Sequence, residues 1–304
     1  MPLHIETPLI QSLPLGLAVG QDVWLKMEAL QPPGSFKIRG VGAACEHHAR
    51  AGKRRFVSSS GGNAGMAVAY AGRQLSIPVS VYVPETTTER AKALIRQEGA
   101  DVIVHGAAWD EANAKALASL DEDSAFIHPF DDPLLWTGHA TMIDEAVKAG
   151  LTFDAVVLSV GGGGLFAGVA EGLQRNGLGD VPILAVETEG TASLAASIEA
   201  RQLVALQAVN GIATSLGARQ VSQHAFELSQ TRPVESVVVS DAEAAQACIR
   251  FLDDHRVLVE PACGAALAVA YAHANRLARF KRILMIVCGG ATTTVERLQA
   301  WQEF

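Results

Sequence analysis

Residues 156–168 read Val156-Val-Leu-Ser-Val-Gly161-Gly-Gly-Gly164-Leu-Phe-Ala-Gly168: an apolar β-rich run, a glycine turn, then the start of a helical pattern. A strand that ends in glycines and restarts as a helix is a building unit of α/β proteins. The consecutive Gly161, Gly162, Gly163 and Gly164 expose backbone N–H groups with no Cβ in the way. The helix that follows from Leu165 adds the positive end of its dipole. That geometry suits a phosphate without saying whose. Gly162-x-Gly164-x-x-Ala167, with Glu187 ending the next predicted strand, also fits a dinucleotide-binding turn. A purely structural turn is the third reading.

The same alternation continues on both sides. Short β-rich runs at 56–58, 79–83, 101–104, 183–187 and 283–287 join the one at 155–159. Helical patterns fall between them at 65–75, 88–98, 109–120 and 165–175. Several strands are continuously apolar, as expected where helices cover both faces of a sheet. The expected fold class is α/β, with open, mainly parallel sheets and flanking helices. The chain has 304 residues and no internal repeat, coiled coil or Pro/Gly/Ser linker, so two lobes sharing a cleft are expected. Ligands of such sheets bind at loops that follow strands.

Composition narrows function by exclusion. Hydrophobic residues at 49% and charged residues at 18% supply a sizeable core and argue against disorder. A net charge of −8, with no basic run longer than Lys53-Arg54-Arg55, speaks against nucleic acid or an anionic membrane as partner. Cys45, Cys248, Cys263 and Cys288 form no C-x-x-C pair and read as free thiols of a reducing compartment. The nine histidines form no ligand-spaced cluster. No signal-peptide pattern opens the chain. The longest uncharged apolar stretch, 155–170, is broken by glycines and short of the ~20 residues that span a bilayer. A cytoplasmic location is the expectation.

The second decisive stretch is Gln31-Pro-Pro-Gly34-Ser35-Phe36-Lys37-Ile-Arg39-Gly40. Two prolines and a glycine order a turn, and Ser35 is the expected N-cap of the helix that follows. Lys37 then sits in the first turn, where the positive helix end disfavours a cation. Such a site favours the neutral amine, the form that makes and exchanges Schiff bases. A solvated surface lysine is the alternative. Phe56-Val-Ser-Ser-Ser60-Gly61-Gly62-Asn63-Ala64-Gly65 is again strand, turn and helix start. Its N–H groups and hydroxyls suit an anion such as a carboxylate, with a plain capped turn as the alternative.

Pro33-Gly-Ser-Phe-Lys-Ile-Arg-Gly40 resembles the Schiff-base lysine motif of the fold type II, or β-family, pyridoxal-phosphate (PLP) enzymes. Among them it is most similar to the serine and threonine dehydratases, in particular the compact liver-type members. The resemblance covers nearly the whole chain and includes Thr7-Pro8, the 59–65 turn and Pro129-Phe130-Asp131-Asp132. It continues through 161–164, Val259-Glu260-Pro261-Ala262-Cys263-Gly264 and Val287-Cys288-Gly289-Gly290. No C-terminal regulatory domain like that of the longer threonine deaminases is expected after Phe304.

The resemblance implies a tryptophan synthase β-like, two-domain fold. Residues 1–33 with 139–304 would form the large PLP-binding domain, and 34–138 the small domain closing over the cleft. Lys37 would carry PLP, Phe36 would pack on its ring, and Asn63 would lie near its 3-oxygen. Gly161, Gly162, Gly163, Gly164 and Leu165 would hold its phosphate, and Cys288 would face its ring nitrogen. A thiol there stabilises a full pyridinium less than an Asp does, which suits rapid elimination; a buried structural thiol is the bland reading. Ser60, Gly61 and Asn63 would receive the substrate carboxylate. The related racemases have a serine where this chain has Gly61, and glycine has no group to move a proton, so elimination is expected over racemisation. A monovalent cation such as K+ would be bound by the Glu187 side chain and by Thr191, Leu216, Ala218 and Gly161. Thr191 and Ala218 replace other small or aliphatic residues, which is tolerable if only the carbonyl matters. Ser215 replaces an alanine packed on the ring, and Glu189 an aromatic residue.

The implied reaction is dehydration and deamination of an amino acid, L-serine first and L-threonine second, in a homodimer. Lys37 would remove the Cα proton as general base. The β-hydroxyl would leave as water, with the cofactor phosphate as proton donor, and the released aminoacrylate would hydrolyse to a 2-oxo acid and ammonia. The alternatives are a dehydratase of phenylserine or 3-hydroxyaspartate, a serine racemase, a non-catalytic PLP-binding protein and, more remotely, an NAD-dependent dehydrogenase.

Overall fold

The computed structural model describes residues 1–301. The chain opens with β1 (Leu9–Gln11), α1 (Leu13–Val19) and β2 (Asp22–Lys26). Next come α2 (Lys37–Arg50), β3 (Arg55–Ser58), α3 (Asn63–Leu75), β4 (Val79–Val83) and α4 (Glu89–Gln97). They are followed by β5 (Asp101–Val104), α5 (Trp109–Ala118), β6 (Ser124–Phe126) and α6 (Pro133–Lys148). After these run β7 (Ala155–Ser159), α7 (Gly164–Arg175), β8 (Ile183–Thr188), α8 (Ser193–Ala200) and α9 (Gln223–Thr231). The last elements are β9 (Val234–Val239), α10 (Asp241–His255), α11 (Pro261–Ala272), β10 (Arg282–Ile286) and α12 (Val295–Ala300).

The strands form a six-stranded sheet in the order β1-β2-β10-β7-β8-β9 and a four-stranded sheet in the order β5-β4-β3-β6. β1 runs antiparallel to β2; the other strand pairings among the described residues are parallel. The α/β expectation agrees with this. β4, β7 and β8 are buried at every position, as parallel strands covered on both faces should be. Each sheet packs its own apolar cluster, one running from Ile38 to Leu135 and one built from both ends of the chain.

Strand order decides where a ligand can bind. In the larger sheet β7, β8 and β9 proceed one way, while β10 lies on the other side of β7. In the smaller sheet β3, β4 and β5 proceed one way, while β6 lies on the other side of β3. A crevice opens beyond the carboxyl ends of strands at such a reversal. The loops after β7, β10, β3 and β6 are those that hold the glycine turn, Cys288, the 59–63 turn and Pro129.

The six expected strands all form, with ends shifted by at most one residue. Four more were not legible. β1 and β6 are three residues each, too short to show a period. β2 carries charges at both ends, and β9 is an edge strand containing Glu235. The N-cap of α2 is Phe36 instead of Ser35. Ser35 is held in a backbone bridge to Gly289, its hydroxyl is buried without a partner, and its geometry serves that bridge and not a cap.

A buried ionic group fixes where α2 begins. Arg39 Nε and a terminal nitrogen donate to the two Glu28 carboxylate oxygens at 2.7 and 2.8 Å. Its other face donates to Glu145 at 2.6 and 2.7 Å and to Thr141 Oγ1 at 2.9 Å. Lys26 donates to Glu145 and to the Thr7 carbonyl, and Thr7 Oγ1 donates to Glu28 at 2.7 Å. Two cations and two anions thus balance where β2, α2, α6 and the N-terminal segment meet. Burial opposes the guanidinium charge, yet Glu28 and Glu145 more than offset this and raise its pKa. Removing one partner of a buried pair costs about 3–5 kcal/mol. Arg39→Met should therefore lower unfolding free energy by about that much in a urea titration. A loss under about 1 kcal/mol, the range of surface pairs, would contradict the arrangement.

Candidate active site

The lysine turn and the end of β10 are tied backbone to backbone. Phe36 N donates to Cys288 O at 3.0 Å, and Gly290 N donates to Gly34 O at 2.9 Å. Gly289 has φ +108, and a Cβ there would lie 2.3 Å from Gly34 O, so only glycine permits this approach. Lys37 is the first residue of α2, and its amine donates to Pro129 O at 2.6 Å in the loop after β6. The Phe36 ring lies 5.1 Å from that amine and 4.8 Å from the buried His139 ring. His139 Nδ1 accepts from Gly40 N at 3.2 Å and so satisfies one of α2's free N–H groups. Burial pushes the Lys37 pKa down to about 8, against smaller opposite effects of Cys288 and Glu260.

The glycine turn leads directly into α7. Among the described residues, the N–H groups of Gly161, Gly162 and Gly163 donate no hydrogen bond. Side chains are excluded around them: a Cβ on Gly162 would meet the Phe130 ring at 2.4 Å. Gly163 has φ +96, and a Cβ there would meet the Ala225 Cβ at 2.4 Å. Leu165 follows in the first turn of α7 and is buried. Free N–H groups at a helix start beside a buried amine fit a ligand that carries both a phosphate and an aldehyde.

Across the cleft, Ser60 Oγ accepts from Gly62 N at 3.3 Å and leaves its own O–H free. Gly61 is pressed against Thr87 and Val83; a Cβ there would come within 2.7 Å of Thr87. Asn63 starts α3 and is only 8% exposed. Its Oδ1 accepts from Ala291 N at 3.2 Å, and its Nδ2 donates to Glu260 Oε1 at 2.7 Å. Ser215 Oγ stands 3.5 Å from the same nitrogen. In the sequence Glu260 is one residue of the stretch Val259–Gly264, with no local signal of a role. Burial raises its pKa to about 7, tempered by Ser215, Asn63 and Lys37.

Cys288 is buried, and its thiol is pushed well above the usual range, first by a hydrogen bond with Cys263 and then by burial. It therefore stands as a neutral thiol at physiological pH. Cys248, also buried, interacts with Cys263. The fold gathers three cysteines that are scattered in sequence, and all remain free thiols.

Of the positions expected around a cation, Gly161 and Leu216 pack closely: a Cβ added at Gly161 would lie 3.0 Å from Leu216 Cα. Glu187 and Thr191 are wholly buried. Glu187 takes Leu194 N and Ala195 N at 2.8 Å each, and burial raises its pKa to about 7. Ala218 N donates to Leu216 O at 2.7 Å. Among the described residues, no group of three or more His, Cys, Asp or Glu is placed to hold a metal ion. Ser215 and Glu189 are exposed.

A family model described as pyridoxal-phosphate dependent enzyme matches residues 1–289. The chain belongs to this family. It is 45% identical over 317 residues to the L-serine dehydratase/L-threonine deaminase of Homo sapiens, covering 99% of this chain and 95% of that protein. It is 43% identical over 320 residues to the L-serine dehydratase of Dictyostelium discoideum, covering 98% of this chain and 91% of that protein. Its fold matches a fungal L-serine ammonia-lyase from Rhizomucor miehei with a TM-score of 0.94 and 37% identity, covering 100% and 99% of the two chains. The fold is that of the fold type II PLP enzymes. The dinucleotide reading of the glycine turn falls with this, and Glu187 gives the physical reason: it is buried against the start of α8, not open to a ribose.

Only a neutral amine adds to an aldehyde, so a depressed pKa moves reactivity to lower pH. In cofactor-free protein the rate of PLP capture, followed by stopped-flow absorbance, should rise with pH and be half-maximal near 8. A midpoint near the ordinary lysine value of about 10.4 would contradict burial of the amine.

Proposed function

We propose that this protein is a PLP-dependent L-serine ammonia-lyase that also accepts L-threonine, releasing a 2-oxo acid and ammonia. One observation carries the reading: the Lys37 amine is drawn out of water where the loops after β3, β6, β7 and β10 converge. The names and near-complete coverage of the relatives support the substrate class.

Lys37, Phe36, Asn63, Cys288, Leu165 and the glycines 161–164 would hold the cofactor. Bound PLP supplies an electron sink for the bond pair left when Cα loses its proton. Ser60, Gly61 and Asn63 orient the substrate through its carboxylate, offering a free hydroxyl and N–H donors at the start of α3. The Lys37 amine takes the Cα proton; its lowered pKa keeps a useful fraction neutral near pH 8. The β-hydroxyl leaves as water with a proton that the cofactor phosphate, held at the glycines 161–164, would supply; the freed aminoacrylate hydrolyses to pyruvate, and the aminocrotonate from threonine to 2-oxobutanoate. Gly61 brings no acid or base to the cleft, which supports elimination over racemisation.

The division into a lobe of 34–138 and a lobe of 1–33 with 139–304 belongs to the same reading, supported by two separate sheets and the two large apolar clusters. So does a homodimer working in the cytoplasm; among the described residues, no helix is long and apolar enough to cross a membrane. A monovalent cation, K+ by preference, would sit by Glu187, Thr191, Leu216, Ala218 and Gly161. A buried carboxylate that meets only N–H groups supports it.

Purified protein with PLP should be yellow and form pyruvate from L-serine without D-serine. Lys37→Ala should lose the colour and at least about four decades of kcat, comparable to removing a general base. Colourless wild-type protein, or no pyruvate, would sink the proposal. Replacing tetramethylammonium chloride with KCl at equal ionic strength should raise Tm, because the bound ion favours the folded state. An unchanged Tm would remove the cation.

A further inference from the structure

Glu260 is 5% exposed, and among the described residues it forms no salt bridge. A carboxyl held out of water without a paired cation is costly, and its contacts account for its presence. It occupies the N-cap of α11 with Pro261 behind it, but its side chain makes no cap hydrogen bond. It turns across the cleft instead and accepts from Asn63 Nδ2 at 2.7 Å. Gly290 makes room for it: a Cβ there would meet Glu260 Cγ at 2.4 Å. Gly290 is also the residue whose N–H ties the end of β10 to the lysine turn.

An amide side chain can flip end for end, exchanging its donor and acceptor. At Asn63 the flip is forbidden from both ends. Ala291 N offers a hydrogen to Oδ1, and Glu260 offers an acceptor to Nδ2. Both partners lie in the segment 260–291, whereas Asn63 opens α3 on the four-stranded sheet. The contact therefore joins the two sheets at the turn 59–63.

We propose that Glu260 is a positioning residue: it locks the Asn63 amide in one orientation and sets the 59–63 turn to receive the substrate carboxylate. This rests on the functional reading above. Glu260→Asp withdraws the carboxylate by one methylene, and Glu260→Ala removes it. Both should raise KM for L-serine about tenfold or more, the scale of a lost hydrogen bond to a charged group, with a smaller change in kcat. The midpoint of the cofactor absorbance change on titrating L-serine into holoenzyme should rise in parallel. Glu260→Gln, which keeps an acceptor at Oε1, should recover most of the loss. An Asn63→Ala/Glu260→Ala double variant should be no weaker than Asn63→Ala alone.

The inference is overturned if Glu260→Asp and Glu260→Ala keep wild-type KM and midpoint, or if Glu260→Gln is as damaged as Glu260→Ala. Additive losses in the double variant would overturn it too. Should Glu260→Ala fail to fold, the Asp and Gln pair decides alone. If wild-type holoenzyme itself shows no absorbance response to L-serine, the functional reading fails and the inference with it; a normal wild type with unaffected variants removes Glu260 only.

Discussion

The hydrogen bonds between residues 34–36 and 288–290 are the constraint on which the site depends. They join the turn that presents Lys37 to the loop that presents Cys288, though 251 positions separate the two residues in the chain (288 − 37). The approach is close enough that Gly289 cannot carry a side chain. Once it is made, the first turn of α2 lies beside the β7–β10 reversal, and the glycine turn after β7 becomes its neighbour. The Arg39 group then holds α2 from beneath, so that the lysine has a fixed base from which to reach Pro129 O.

Burial is the main lever on the chemistry. It lowers the Lys37 pKa and raises that of Glu260 toward the same range, each change disfavouring charge. Cys288 is kept as a neutral thiol by Cys263 and by burial. The cleft therefore offers groups that titrate near neutrality on one side and free backbone N–H groups on the other, a setting suited to an anionic, phosphate-bearing ligand.

Much of this was legible in the sequence because local chemistry announced it. The six strands found from apolar runs, the glycine turn and the Gly-Ser-Phe-Lys turn each depend on residues that lie within about ten positions of one another. What was missed depends on distance. Glu260 looks like an ordinary helix-start acid until the fold brings Asn63 to it. Cys248, Cys263 and Cys288 have no common spacing, yet α10, α11 and β10 bring them together. Nothing local marks Lys26 and Glu28 as buried; Arg39, and Glu145 far along the chain, are what allow them inside. Ser35 had the right identity for a cap, and a tertiary bridge overrode its local preference.

The central claim is that one amine, Lys37, carries the cofactor. Holoprotein reduced with borohydride and digested with trypsin tests it most directly, because reduction fixes the cofactor to the nitrogen that holds it. The account predicts one phosphopyridoxyl group per chain, on the peptide containing Lys37. An adduct on any other lysine, or none, would contradict it.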